Sequence, residues 1–143
     1  MKHIRRAIIE DLQEKLKTLH GFTGIWNQRI PPSRNSFPCL TLFCESETAE
    51  TVTIHHQPRP QERILTVNIN VWVLGSPDDE KPERDMDLAA IWIESILTTP
   101  ELATDILLVA TDFNISEDEP EIHCLTLTYH VSYFSTEFSP IIQ

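Results

Sequence analysis

Cys124-Leu125-Thr126-Leu127-Thr128-Tyr129-His130-Val131-Ser132-Tyr133 carries the strongest period-two signal in the chain. Leu125, Leu127, Tyr129, Val131 and Tyr133 fall on one face of a strand, and Cys124, Thr126, Thr128, His130 and Ser132 on the other. Upstream, Leu107–Ile115 pairs naturally with Ile122–Phe134 across an acid-rich hairpin tip, Ser116–Glu121. Charge at such a tip discourages stray edge pairing. Further back, Arg63–Leu74 alternates as well. Leu65, Val67, Ile69, Val71 and Val73 face one way, and Ile64, Thr66, Asn68, Asn70, Trp72 and Leu74 the other. Gly75–Pro82 breaks that strand, and a helix is expected from near Glu83 to Pro100. Its apolar face reads Leu88, Ala89, Trp92, Ile96 and Thr99, with Ile93 and Leu97 alongside, which makes Trp92 a core residue. Asp78, Asp79, Glu80, Glu83 and Asp85 suit the positive end of its dipole. Glu101–Asp105 reads as one further helical turn.

The first half completes the pattern. Ile4, Ala7, Ile8, Leu12, Leu16 and Leu19 recur at helical steps, and Gly21 marks the stop. The stripe is aliphatic and the far side mixed in charge, so packing on a sheet is favoured over binding a membrane. Phe22–Ser36 is turn-like, with a short strand around Gly24–Gln28. A strand opens at Phe37–Phe43, with Pro38 near its beginning or on an edge. Between it and Arg63, Thr51–His56 extends the pairing, and Gln57–Glu62 is a candidate mobile loop. Trp72 lies on the more polar face of its strand. Core packing is expected there, with cover by the first helix or a neighbouring subunit as the alternative. The order helix–strand–strand–helix–strand–strand predicts an α+β fold. Residues 1–143 form one domain, with a mainly antiparallel mixed sheet of four to five strands and two main helices.

A chain of 143 residues with 41% hydrophobic and 23% charged side chains has the composition of one folded domain. Its formal charge is −11. Residues 1–63 carry nine basic and seven acidic side chains, and residues 64–143 two and fifteen. That excess of acid argues against generic duplex-DNA binding. The uneven division suits copies that pack head to tail, but acids that merely occupy exposed loops of the second half are the favoured explanation. No apolar stretch is long enough to span a bilayer, and the charged start lacks the apolar centre of a secretory signal, so cytosolic synthesis is expected. Cys39, Cys44 and Cys124 are expected to be reduced and packed. His55-His56 and His123-Cys124 lack metal-site spacing, and no metal or cofactor is expected. Three glycines are too few for a phosphate loop or nucleophile elbow. Asp78, Asp79, Glu80, Asp85 and Asp87 are hard-cation ligand types, but they are explained by helix capping and solubility. The chain is read as a non-enzyme. A metal-dependent enzyme or small-molecule binder using Asp78–Asp87 is the alternative from another class.

Four segments carry a family resemblance. Met1-Lys2-His3 with the helix through Ile4–Leu19 resembles the opening helix of the tail terminator family of long-tailed bacteriophages, the lambda minor tail protein U and its relatives. Phe37-Pro38 with Leu40 and Leu42, preceded by Arg29 and Pro31, resembles that family's first long strand. Asp87-Leu88 and Trp92-Ile93-Glu94-Ser95 resemble its second helix, and Leu127-Thr128-Tyr129-His130-Val131-Ser132-Tyr133 its closing strand. The resemblance runs in compatible order through nearly the whole chain, except for Gly21–Ser36 and the His55–Arg63 loop, which match poorly.

The resemblance implies a structural virion protein at the head-proximal end of the tail, made in the host cytoplasm. It implies a homohexameric ring that caps the tail tube protein, ends polymerisation and presents a surface to a head completion or connector protein. Genomic DNA passes through without specific binding, no membrane is involved, and no catalytic residue is implied. Another ring-forming connector or tail-completion protein is the alternative within this class. With the charge division, subunit and tube contacts are expected at Arg5, Arg6, His55, His56, Arg59, Arg63, Asp78 and Asp79.

Overall fold

The computed structural model describes the chain except residues 27, 32, 53–57, 77, 137, 138 and 143, and the side chain at 34. Helix α1 (Ile4–Leu16) is followed by strands β1 (Thr23–Ile25), β2 (Cys39–Thr51) and β3 (Pro60–Leu74). Helix α2 (Lys81–Ile96) and strands β4 (Asp105–Ile115) and β5 (Ile122–Thr136) complete the domain. The five strands form one mixed sheet in the order β1-β2-β3-β5-β4. Only β1 runs parallel to its neighbour. The other pairings are antiparallel. This is the α+β architecture expected, with the short extra strand added at one edge.

The two central strands set the layering. Leu65, Val67, Ile69, Val71 and Val73 of β3 lie opposite Val131, Tyr129, Leu127, Leu125 and His123 of β5. All five of the β3 side chains are buried, and the odd-numbered β5 side chains from His123 to Tyr133 are too. Onto this face pack Ile8, Ile9, Leu12 and Leu16 of α1, and Met86, Ala89 and Ile93 of α2. Burying each of these large aliphatic side chains stabilises the fold by roughly 1.5–3 kcal/mol before conformational entropy is counted. Neither α1 nor α2 packs on the opposite face, which is called helix-free below. There Thr41, Asn68 and Asn70 are buried among their strand neighbours and hydrogen-bonded across them.

Local chemistry fixes the helix ends. The His3 Nδ1 accepts the Arg5 N–H at 3.0 Å, an N-cap for α1. Burial and the Arg5 guanidinium lower the His3 pKa, favouring the neutral ring that can accept this bond. The N-terminus is also held by the C-terminal segment, through Ile4 N–H to the Pro140 carbonyl at 2.9 Å. In α2, Pro82 sits in the first turn, where its missing N–H costs nothing. The Asp79 carboxylate accepts the Lys81 N–H at 3.1 Å.

Several expectations need correction. The α1 helix stops at Leu16, and tight turns carry the chain through Leu19 to Gly21, whose φ of 85° reverses its direction. The segment Glu45–Glu62 is mostly strand. β2 runs to Thr51 and β3 starts at Pro60, so Pro60–Glu62 is ladder rather than mobile loop. The proposed extension through Thr53–His56 lies outside the described residues. Ala103 closes a turn on Pro100, and β4 has begun by Asp105.

Trp92 is not core. It is 59% exposed, because α2 presents Met86, Ala89, Ile93 and Leu97 to the sheet and turns Leu88, Ile91 and Trp92 outward. Trp72 is half-buried on the helix-free face. Its Nε1 donates to the Thr41 hydroxyl at 3.0 Å, and its ring leans on Phe37 at 6.4 Å, so the segment before β2 covers it rather than α1.

Candidate assembly surfaces

Two of the residues expected at an interface, Arg5 and Arg63, share one carboxylate within the chain. Glu47 of β2 is 14% exposed and accepts from Arg5 at 2.9 Å and from Arg63 at 3.4 Å. The Tyr133 hydroxyl donates to its other oxygen. One carboxylate thereby ties α1, β2, β3 and β5 together. Burial and this bond hold the Tyr133 hydroxyl up at about 12. Arg5 and Arg63 are therefore bound internally, although Arg5 stays 40% exposed.

The remaining candidates are spread widely. Arg6 is exposed on α1, and Arg59 is half-buried just before β3. His55 and His56 lie outside the described residues. Asp78 and Asp79 are exposed beyond the far end of β3. Eleven residue steps of strand run from Arg63 to Leu74, so about 35 Å lies between the arginine pair and the acids. The Gly75 N–H bonds the Glu121 carbonyl at 2.9 Å, which brings the hairpin acids Glu117, Asp118, Glu119 and Glu121 to the same end. Acids outnumber Lys81 and Arg84 at that pole, whereas at the other Arg5, Arg59 and Arg63 stand among Glu47, Glu50, Glu62 and Asp105.

The acids of Asp78–Asp87 do not converge. Asp79 caps Lys81, and Glu80 pairs with Arg84 at 2.8 Å. Asp85 lines a groove with Trp92 and Leu88, and Asp87 a different groove with Phe113 and Ile115. Among the described residues, no three His, Cys, Asp or Glu side chains gather as metal ligands. The cysteines are free thiols, and burial pushes Cys39 and Cys124 up to about 11. A depression of about 750 Å³ lies on the helix-free face between Arg29–Phe37 and the hairpin tip, with Asn70, Trp72, Cys124 and Thr126 as its floor. Arg29 stands 4.6 Å over the Phe43 ring at its side.

What sequence reasoning missed is apolar surface. Leu88, Ile91 and Trp92 form an exposed ridge on α2, and Phe113 and Ile115 an exposed strip on the helix-side face of β4, with Leu107 exposed on its other face. The signal was present in α2, whose apolar positions cover too much of the helix circumference for one buried stripe. Exposed apolar residues in contiguous groups mark contact surfaces.

A chain in a solved gene transfer agent virion shares this fold. That structure, of the virion of a native gene transfer agent particle, contains a chain superposing with a TM-score of 0.68 at 10% identity. The match covers 92% of the present chain and 98% of that one. No protein-family model matches the sequence, and neither does any curated protein. The likeness is one of fold, shared over almost the whole length of both chains. No helix among the described residues is long and apolar enough to cross a membrane.

Proposed function

We propose that this chain is a structural virion protein. It forms a ring on the head-proximal end of a phage-type tail tube, ends tube polymerisation and offers the surface to which the head joins. The observation that carries the structural role is the two-way, near-complete match in fold to a chain of a gene transfer agent virion. The finer assignment to the tail terminus rests on the sequence resemblance. Two features of the molecule support assembly. The exposed ridge on α2 and strip on β4 offer apolar area that a lone chain leaves in water. The strand residues on the helix-free face include no Lys or Arg, and Arg29 stands over Phe43 beside them, so a bore lined by that face would offer few cations for counterion release.

The partners in this reading are further copies of the chain, a tail tube protein and a head completion or connector protein. Light scattering across protein and salt concentration, with negative-stain images, tests it. Closed rings that cap purified tubes and fix their length are the expected result. A chain that neither self-associates nor binds tube ends would overturn the reading. A ring that binds only the head portal would favour another head–tail connector.

A further inference from the structure

We propose that β4 is a joining strand. Its outer edge pairs antiparallel with the outer edge of β2, Leu42–Thr51, in a second copy of this chain. The inference deepens the ring reading above and takes only the number of copies from it.

The first argument is the state of the two edges. Among the described residues β4 has β5 as its one ladder partner, so one side of its eleven-residue backbone is open. Natural edge strands are guarded by Lys, Pro or short length. β4 carries Asp105, Asp112 and a bulge between Leu108 and Ala110, but it is long, has no Lys, Arg or Pro, and leaves Leu107 57% and Phe113 60% exposed on its two faces. At the far side of the sheet, β1 pairs only with Cys39–Thr41. Among the described residues, the ten of Leu42–Thr51 have β3 as their one ladder partner. The two open edges are nearly equal in length.

The second argument is direction. Four antiparallel strands, β2-β3-β5-β4, separate the two edges, so β2 and β4 run opposite ways. Copies set side by side in one orientation therefore bring β4 against the next β2 antiparallel, with every helix on the same side. This is a heterologous contact that closes into a ring when the rotation between copies permits. At the usual strand spacing of about 4.8 Å, each copy adds about 19 Å of circumference, and six would enclose a bore about 37 Å across at the backbone.

Cysteine cross-linking tests the joint in the full chain. Cys44 is half-buried on the β2 edge, on the same sheet face as Thr111. Within one chain β3 and β5 hold the two edges about 14 Å apart. A disulfide needs Cα atoms within about 7 Å, so any link must be between copies. Val109→Cys, Thr111→Cys and Phe113→Cys, made singly at exposed positions, are oxidised under conditions where the wild type forms rings. The expected result is a ladder of covalent multimers beyond the dimer for at least one variant, abolished by adding Cys44→Ser. Rings without any such link would overturn the joint while sparing the ring reading. A dimer that survives Cys44→Ser would overturn it in favour of β4 pairing with β4. A chain that stays monomeric even with tube protein present would overturn both.

Discussion

Replacing Glu47 by Ala removes the acceptor shared by Tyr133, Arg5 and Arg63. The three losses are unequal. Arg5 is 40% exposed and turns to water, so its share is under about 1 kcal/mol. Arg63 is 15% exposed and, among the described residues, keeps Gln61 at 3.3 Å, the Tyr133 hydroxyl and a weak approach to His3, so it is left as a poorly solvated charge. Removing one partner of a buried pair costs about 3–5 kcal/mol, and partial access to water brings Arg63 to the lower end or below. The Tyr133 O–H, stripped of its acceptor, adds about 1 kcal/mol or more. The sum is about 3–4 kcal/mol, a large part of the 5–15 kcal/mol typical of a whole domain. Urea unfolding of the dilute monomer reads this as a fall in midpoint at unchanged slope. Arg5→Ala should cost under about 1 kcal/mol, and Tyr133→Phe about 1–2. A Glu47→Ala cost below about 1 kcal/mol would refute the claim that this carboxylate fastens the four segments.

Alkaline pH should weaken the fold. Burial holds Cys39 and Cys124 at about 11 against an ordinary 9.0, and Tyr129 and Tyr133 at about 12 against 10.0. The unfolded chain loses these protons first, so stability is whole below about pH 9 and falls as pH climbs toward about 12; a flat urea midpoint over that range would count against it. Of the three thiols, half-buried Cys44 should react first with a disulfide reagent, and assembly should slow it selectively if β2 joins a neighbour. Trp92→Phe should remove most of the acrylamide-quenchable fluorescence, since Trp92 is 59% exposed while Trp72 and Trp26 are half-buried. Unchanged quenching would mean that α2 is rotated from the position described. Phe113→Lys should leave monomer stability within about 0.5 kcal/mol and abolish assembly.

The sheet was legible because β3 and β5 alternate so regularly that only one face can be buried. The β4–β5 hairpin was equally plain, its acids marking the turn. The orientation of α2 was not legible. Its apolar residues span both a buried and an exposed ridge, and a sequence cannot say which one meets the sheet when Trp92 and Leu88 are as apolar as Ile93 and Met86. The length of the β2–β3 hairpin was hidden for another reason. Glu45–Thr51 is polar on both faces because it extends beyond the helices, so the alternation that betrays a half-buried strand is missing there. Arg5 and Arg63 were legible as cations but not as partners of Glu47, whose meeting depends on three elements being in place at once.

The polar pairs of the helix-free face have a consequence for how the chain finds its alignment. Alternation alone tells β3 which side is inward, but it cannot count. Sliding β3 by two residues past β5 would still set Leu, Val and Ile against Leu, Tyr and Val. The count is supplied by Asn70, which accepts from Thr126 at 2.6 Å, and Asn68, which accepts from Thr128 at 2.9 Å. A slip one way sets Asn68 beside His130, and a slip the other way sets Asn70 beside Cys124. Either error strips a nearly buried amide of its hydroxyl partner, at a cost of about 1–3 kcal/mol. The apolar face thus decides that the strands pair, and two asparagines with two threonines decide where.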